Sequence, residues 1–178
     1  MSIPRLSARD PMPEALRGAV IALGNFDGFH LGHQAVAGEA IAQAKAAGKP
    51  AIIATFDPHP VRFFAPHVPW FRLTTLEQRQ RLFAEAGADA MLVFDFDAEL
   101  AATTAEDFVI KLLAERLGVS GVVTGEDFTF GKARGGNTRV LRDLGAAHGI
   151  IASTVGPVVD EGGIISSSRI REALKTGA

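Results

Sequence analysis

Five short apolar runs, at residues 19–23, 51–56, 90–94, 121–124 and 149–154, recur along this chain without one charged side chain among them. Each is short enough for a strand, and the lack of polar alternation suits strands buried on both faces. Between them lie segments with explicit helix signals. Thr74-x-x-Glu77 and Thr103-x-x-Glu106 read as capping boxes, Asn137 can cap a helix running to Ala147, and Gly48, Gly87 and Gly118 stand where helices stop. Alternation of this kind predicts an α/β fold with a parallel sheet of about five strands covered on both faces. Ligands of such sheets bind beyond the carboxyl ends of the strands.

Composition narrows the classes. With 178 residues, 47% of them hydrophobic, the chain is long enough for one full core and too short for two ordinary ones, so a single domain over residues 1–178 is expected. The balance of 18 basic against 20 acidic residues offers no broad attraction for nucleic acid, and a small-molecule partner fits better. There is no cysteine, hence no disulfide and no thiolate metal site. No apolar run approaches the roughly 18 residues needed to span a bilayer, and no membrane partner and a cytoplasmic location are expected.

The first apolar run leads straight into Gly24-Asn25-Phe26-Asp27-Gly28-Phe29-His30-Leu31-Gly32-His33, followed by an Ala-rich segment of helical spacing. The motif thus lies on a strand-to-helix turn. If the helix starts near Leu31, the rings of His30 and His33 project to one side, near unpaired backbone N–H groups. Phosphate is attracted there by those donors and by the positive end of the helix dipole, and a histidine can add a proton-bearing donor near neutral pH. A side chain at Gly32 would crowd a nucleotide lying against the backbone. Two nearby histidines are also compatible with a plain surface turn or a metal site. Zinc fits less well, because the pair is closer than the usual i, i+4 and cysteine is absent.

A second constellation, Gly162-Gly163-Ile164-Ile165-Ser166-Ser167-Ser168-Arg169-Ile170-Arg171, lies near the end of the chain. Its serines suit a helix cap. Ile170, Ala173 and Leu174 can face a sheet while Arg171 shares another face with Ser167 and Ser168. Hydroxyls and a guanidinium together suit the outer phosphates of a nucleotide, since arginine binds phosphate in bidentate fashion. Other nucleotide signatures fail. Gly125 to Gly131 has five residues between its glycines where a P-loop has four, Lys132 is followed by Ala133 rather than a hydroxyl residue, and no G-x-G-x-x-G follows a strand.

Two connections are long. Residues 57–73 hold Pro58, Pro60, Pro66 and Pro69 with Phe63, Phe64, Trp70 and Phe71; residues 126–136 hold Phe128, Phe130, Lys132 and Arg134 among three glycines. Long loops in compact domains are usually functional or disordered, and aromatic residues argue against disorder. Each Phe taken alone reads first as a roof over the core, and Arg134 most simply as a solvated charge. His59, between two prolines, either positions a substrate group or accompanies a stiff turn; His67 and His148 read as surface residues. Asp27, Asp57 and Asp127 at strand ends suit a metal-bound water, a ligand donor or a loop cap.

Taken together, GNFDGFHLGHQ, TFDPHP at residues 55–60, GEDFTFG at 125–131 and ISSSRIR at 165–171 closely resemble the FMN adenylyltransferase module of bacterial FAD synthetases, within the HxGH nucleotidyltransferase superfamily. The resemblance covers roughly residues 18 to 176. It implies a Rossmann-like doubly wound sheet of nucleotidyltransferase type and transfer of AMP from ATP to FMN, giving FAD and pyrophosphate with Mg²⁺ assisting. Carried onto this sequence, it implies His30, His33 and Arg171 as catalytic. It implies Gly24, Asn25, Phe26, Asp27, Gly32, Ser167 and Ser168 around the nucleotide, and Asp57, Pro58, His59, Asp127, Phe128, Phe130 and Arg134 on the flavin side. No residue is assigned to the metal. Ser168 departs from the family, which usually has Thr there, but keeps the hydroxyl. The riboflavin kinase domain that usually follows in such proteins is not expected in these residues, and no kinase activity is expected of them; a stand-alone enzyme and one domain of a longer chain both fit. A related nucleotidyltransferase with another phosphate acceptor, and a flavin- or nucleotide-binding module without turnover, are the competing readings.

Overall fold

The computed structural model describes residues 2–65, 67, 71–160 and 163–176. Trp70, Pro66, Pro69 and Gly162, named above, lie outside the described residues. In chain order the elements are β1 (Arg5–Ser7), β2 (Val20–Leu23), α1 (Leu31–Ala47), β3 (Ala51–Asp57), α2 (Pro60–Phe64), α3 (Leu76–Ala86) and β4 (Ala90–Asp95). There follow α4 (Ala98–Ala102), α5 (Ala105–Asp107) running on into a π-helical stretch (Phe108–Arg116), β5 (Gly121–Gly125), α6 (Thr138–Ala147), β6 (Ile151–Val155), the pair β7 (Val159–Asp160) and β8 (Gly163–Ile164), and α7 (Ser167–Thr176).

Six strands, every neighbouring pair parallel, form one sheet in the order β1-β4-β3-β2-β5-β6. The five apolar runs are strands, as their patterning requires. The sixth strand, β1, was not anticipated: three partly exposed residues held by pairing with Met91–Val93 carry no apolar signal. A second correction concerns β6. Placed at the sheet edge, it is not buried on both faces, and Ile151 is 74% exposed.

Side chains of a strand alternate between faces, so each central strand feeds two cores. Ile21, Leu23, Ile52, Ala54, Leu92, Phe94 and Val122 pack on one side with Phe108, Val109 and Leu113 of the π-helical stretch and Leu141 of α6. Val20, Ala22, Ile53, Met91 and Val93 pack on the other with Ala37, Ala40 and Ala44 of α1 and Phe83 of α3. Alanines at helical spacing let α1 lie close against the sheet, and Gly48 ends it in the left-handed conformation at φ 67°.

Both capping boxes are shifted by one residue. Thr75 caps α3 reciprocally with Gln78, and Thr104 caps α5 through the Asp107 N–H. Thr74 instead serves the site described below. Asn137 caps α6 as expected.

The chain runs outward from β2 to β3 and β4, then crosses back to β5 on the other side of β2. That reversal opens a crevice between the carboxyl ends of β2 and β5, where the histidine motif and the GEDFTFG segment begin.

Candidate active site

Leu23 ends β2, and the next turn of chain places two large residues, Phe26 (φ 53°) and Phe29 (φ 38°), in the left-handed region. Such backbone is strained for aromatic residues and persists where the surroundings hold it. Here both rings are buried and meet each other and Phe83 edge-on, at 6.3, 6.0 and 5.1 Å. Phe26 therefore supports the turn from beneath, its ring 5.3 Å from His33.

His30 is the N-cap of α1: its Nδ1 accepts the His33 backbone N–H at 3.2 Å. Nδ1 being an acceptor, the ring proton is assigned to Nε2. The two imidazoles stack at 3.6 Å with 20° between their planes. Burial, and after it the neighbouring His30, push His33 down to about 3, and burial lowers His30 as well. Both rings are thus neutral near pH 7, and the proton-bearing donor each offers is a neutral N–H. Gly32 also has a steric reason within the chain. A Cβ there would lie 2.9 Å from His30 Cε1 and 3.5 Å from the Ile165 carbonyl oxygen, so glycine makes room for the capping ring and for the approach of the C-terminal segment.

The segments carrying the two constellations meet. Ser167 Oγ donates to the Asp27 carbonyl at 2.6 Å, and the Arg171 guanidinium forms an ion pair with the Asp27 carboxylate while its Nε donates to the Phe71 carbonyl at 2.9 Å. Ser167 and Arg171 thus have structural partners that sequence spacing did not suggest. Ser166 caps α7 through the Arg169 N–H at 3.1 Å. Leu174 does not face the sheet, being 61% exposed.

Asp27 is the node of the site, and it does not line the cleft. Its buried carboxylate accepts from the Leu73 N–H (2.9 Å), the Thr74 N–H (2.8 Å), the Thr74 hydroxyl (3.1 Å) and Arg171, with Arg79 Nη2 at 3.9 Å. Burial alone would raise its pKa, but the N–H groups of Leu73 and Thr74, with Arg171, hold the carboxyl below its ordinary value. Of the roles the sequence left open, structural anchoring is the one observed. Gly28, at φ 90°, completes the turn by donating to Thr74 Oγ1 at 3.1 Å.

Above this node lies a cleft of about 1360 Å³. Its wall includes Gly24, Asn25, Phe26, His30, Gly32 and His33 from the first motif and Ser167, Ser168 and Arg171 from the last. From the two long connections it includes His59, Asp127, Phe128, Phe130 and Arg134. Asp57 and Pro58 are not part of the wall; Asp57 pairs with Arg72 at 2.8 Å instead. His59 is lowered to about 4 by burial and then by Arg171. His67 and His148 are exposed, as expected.

The 126–136 connection is shaped by close approaches. Phe128 stacks on Phe130 at 5.8 Å, and Phe130, buried against Phe108, covers Gly136 so tightly that a Cβ there would lie 2.5 Å from its ring. Ala133 and Arg134 both sit in the left-handed region, at φ 55° and 54°, and Arg134 is exposed at the rim. Lys132 N–H donates to the Thr103 carbonyl at 2.7 Å, fixing the loop to the start of α5.

Arg79 was missed by the sequence reading. Only 2% exposed, it donates from Nη1 to Thr55 Oγ1 at 3.0 Å and from Nη2 to the Thr74 carbonyl at 3.1 Å. The available signal was its place on α3, three residues after Leu76 and four before Phe83, where a core-facing side chain belongs. Among the described residues, no group of three or more His, Cys, Asp or Glu side chains is placed to hold a metal ion.

An open parallel sheet with helices on both faces and its crevice at the strand reversal is a doubly wound, Rossmann-like α/β protein, here with the nucleotidyltransferase arrangement. The FAD synthetase family model matches residues 12–169. The chain belongs to the FAD synthetase family. It is 35% identical over 157 residues to the bifunctional riboflavin kinase/FMN adenylyltransferase of Escherichia coli (strain K12), covering 88% of this chain and 50% of that protein. With a putative bifunctional riboflavin kinase/FMN adenylyltransferase of Geobacillus thermodenitrificans it shares 37% identity, covering 91% of this chain and 86% of that one. The chain thus spans about half the length of the Escherichia coli relative. A crystal structure described as a macrolide-efflux protein from Streptococcus pneumoniae superimposes with a TM-score of 0.83 at 28% identity, over 96% of this chain and 56% of the other.

Proposed function

We propose that this chain transfers AMP from MgATP to FMN, releasing pyrophosphate and forming FAD. The observation that carries the reading is the junction of the two motifs, Ser167 Oγ on the Asp27 carbonyl at 2.6 Å, which puts paired imidazoles and a hydroxyl–guanidinium helix start on the wall of one cleft. At about 1360 Å³ the cleft exceeds the roughly 300–1,000 Å³ usual for one small ligand, in keeping with two substrates side by side.

In this reaction an oxygen of the FMN phosphate forms a bond to the α-phosphorus of ATP. The bond from that phosphorus to the bridging oxygen breaks, and pyrophosphate leaves with the electron pair. No protein nucleophile is required, so catalysis is positioning and charge stabilisation. His30 and His33 donate neutral N–H groups to the α-phosphate oxygens as charge builds there. Ser167, Ser168 and Arg171 hold the departing pyrophosphate. Gly24, Asn25 and Phe26 form the nucleotide floor, with Asp27 anchoring it from beneath. Mg²⁺ enters with ATP as part of the substrate and supplies charge neutralisation on the phosphates.

His59, Asp127, Phe128, Phe130 and Arg134 form the flavin side: flat apolar surface for the isoalloxazine and a cation for its phosphate. Asp57 and Pro58 act there only by shaping the turn that presents His59. Acting on ATP and FMN, the chain would work in the cytoplasm, where ATP is supplied. The efflux description belongs to the structural neighbour, and the FAD synthetase family match over residues 12–169 supports adenylyl transfer instead.

The test is incubation of the purified protein with MgATP and either FMN or riboflavin, followed by chromatographic separation of the flavins. FAD from FMN with nothing from riboflavin is the expected result. Pyrophosphate release only with another phosphate acceptor would name a sister nucleotidyltransferase; tight binding without release would name a carrier.

A further inference from the structure

We propose that Arg79 is a positioning residue for nucleotide binding, the standing counter-ion of Asp27 that lets Arg171 pass from Asp27 to the phosphates. The inference rests on the adenylyl-transfer reading above. Three charged groups lie in order from the cleft inward. Arg171 is on the cleft wall, Asp27 is behind it with its side chain 3% exposed, and Arg79 is behind that, also with its side chain 3% exposed. One carboxylate stands between two guanidinium groups.

The two arginines are held differently. Arg79 cannot follow a ligand. Its Nη1 donates to Thr55 Oγ1 and lies 3.5 Å from the carbonyl oxygens of Asn25 and Phe56, and its Nη2 donates to the Thr74 carbonyl. Those acceptors belong to the ends of β2 and β3 and to the approach to α3, so one guanidinium ties together the three segments that frame the site. Arg171, by contrast, lines the cleft from α7: its Nε donates to the Phe71 carbonyl, and its Nη2 faces Asp27, the contact that a phosphate in the cleft would compete for.

A phosphate in the cleft competes with Asp27 for Arg171. Exchange is favourable only if the carboxylate left behind keeps compensation, because an uncompensated buried charge is strongly penalised. The N–H groups of Leu73 and Thr74 supply part of it, and Arg79 at 3.9 Å supplies the remaining full charge. The neighbouring titratable groups do not replace it. His33 and His59 are neutral near pH 7, and Asp57 is paired with Arg72. With Arg79 neutral, Asp27 would retain Arg171 and the nucleotide would lose its cation.

The experiment measures MgATP binding without FMN by titration calorimetry, FMN binding separately, and fold by circular dichroism. It compares wild type with Arg79→Gln, Arg79→Lys, Asp27→Asn and the double variant D27N/R79Q. Expected are MgATP binding about tenfold weaker in Arg79→Gln with FMN affinity unchanged, Arg79→Lys within about threefold of wild type, and recovery of the lost affinity in the double variant, where Asp27 no longer retains Arg171. A merely structural Arg79 would spare neither ligand and would not be rescued by Asp27→Asn. Wild-type affinity in Arg79→Gln, or a double variant no better than that single one, overturns the inference. Should Arg79→Gln fail to fold, Arg79→Lys decides: a folded Lys variant with tenfold weaker MgATP binding assigns the effect to shape rather than charge and overturns it too. Wild-type protein that neither binds MgATP nor forms FAD defeats the adenylyl-transfer reading itself, whereas normal turnover with an indifferent Arg79 defeats only the present inference.

Discussion

The imidazole of His30 lies flat on that of His33, ring centres 3.6 Å apart, and holds the His33 backbone N–H at 3.2 Å. Each histidine thus fixes the other, one as cap and one as stacking partner. On the proposed mechanism His33→Ala removes an α-phosphate donor, together with one face of the stack and an edge contact to Phe26. Adenylyl transfer should slow by about 10²–10³, with far-UV circular dichroism unchanged. A variant with near-normal turnover in the chromatographic assay would remove His33 from the mechanism.

The same burial makes the fold acid-sensitive. His33 and His59 fall from an ordinary 6.5 to about 3 and about 4, so between those values and 6.5 the unfolded chain binds more protons than the folded one. Stability is therefore full above 6.5 and is lost as pH falls toward 4 and 3, by up to about 1.4 kcal/mol per pH unit for each ring. Asp27, with its carboxyl lowered, acts in the same direction further into acid. Urea midpoints from pH 7 to 4.5 should decline steadily, and less so in His59→Gln. A flat profile in wild type would show that the rings are not buried neutral.

Adjacent serines should separate. Ser167 bonds the Asp27 carbonyl, whereas Ser168 is exposed. Ser167→Ala should lower the thermal midpoint, losing about 1 kcal/mol, and also raise the KM for ATP. Ser168→Ala should raise that KM at unchanged midpoint, and Ser168→Thr should leave both as they are. Equal melting losses for the two alanine variants would contradict this division.

Arg134 sits exposed at φ 54°, a conformation that costs a non-glycine residue about 1 kcal/mol. Arg134→Gly should hold or raise the melting temperature while raising the KM for FMN and sparing that for ATP. Loss of stability, or an ATP effect of equal size, would refute a flavin-side role for this loop.

Much of this architecture is legible in the residues because each local signal has one physical outlet. Apolar runs without charge have to be covered on both faces, which places β2 to β5, and the strand-to-helix turn at His30 fixes the start of α1. What escaped notice lacked such an outlet. Strand β1 is held by its neighbour's backbone rather than by its own side chains. The doubled threonines, Thr74-Thr75 and Thr103-Thr104, permit two cap registers, and which one wins depends on Asp27 and on Asp107, the former reachable only in three dimensions. Arg79 was invisible for the same reason: its acceptors are scattered from Asn25 to Thr74. The neutrality of the histidines, too, follows from burial and not from spacing.

The bond from Ser167 to Asp27 joins positions 140 residues apart. On a ribosome adding roughly 5–20 residues per second, the imidazole bend emerges on the order of ten seconds before the serine that locks it. The sheet can form in that interval, but the clamp is finished only once α7 has emerged.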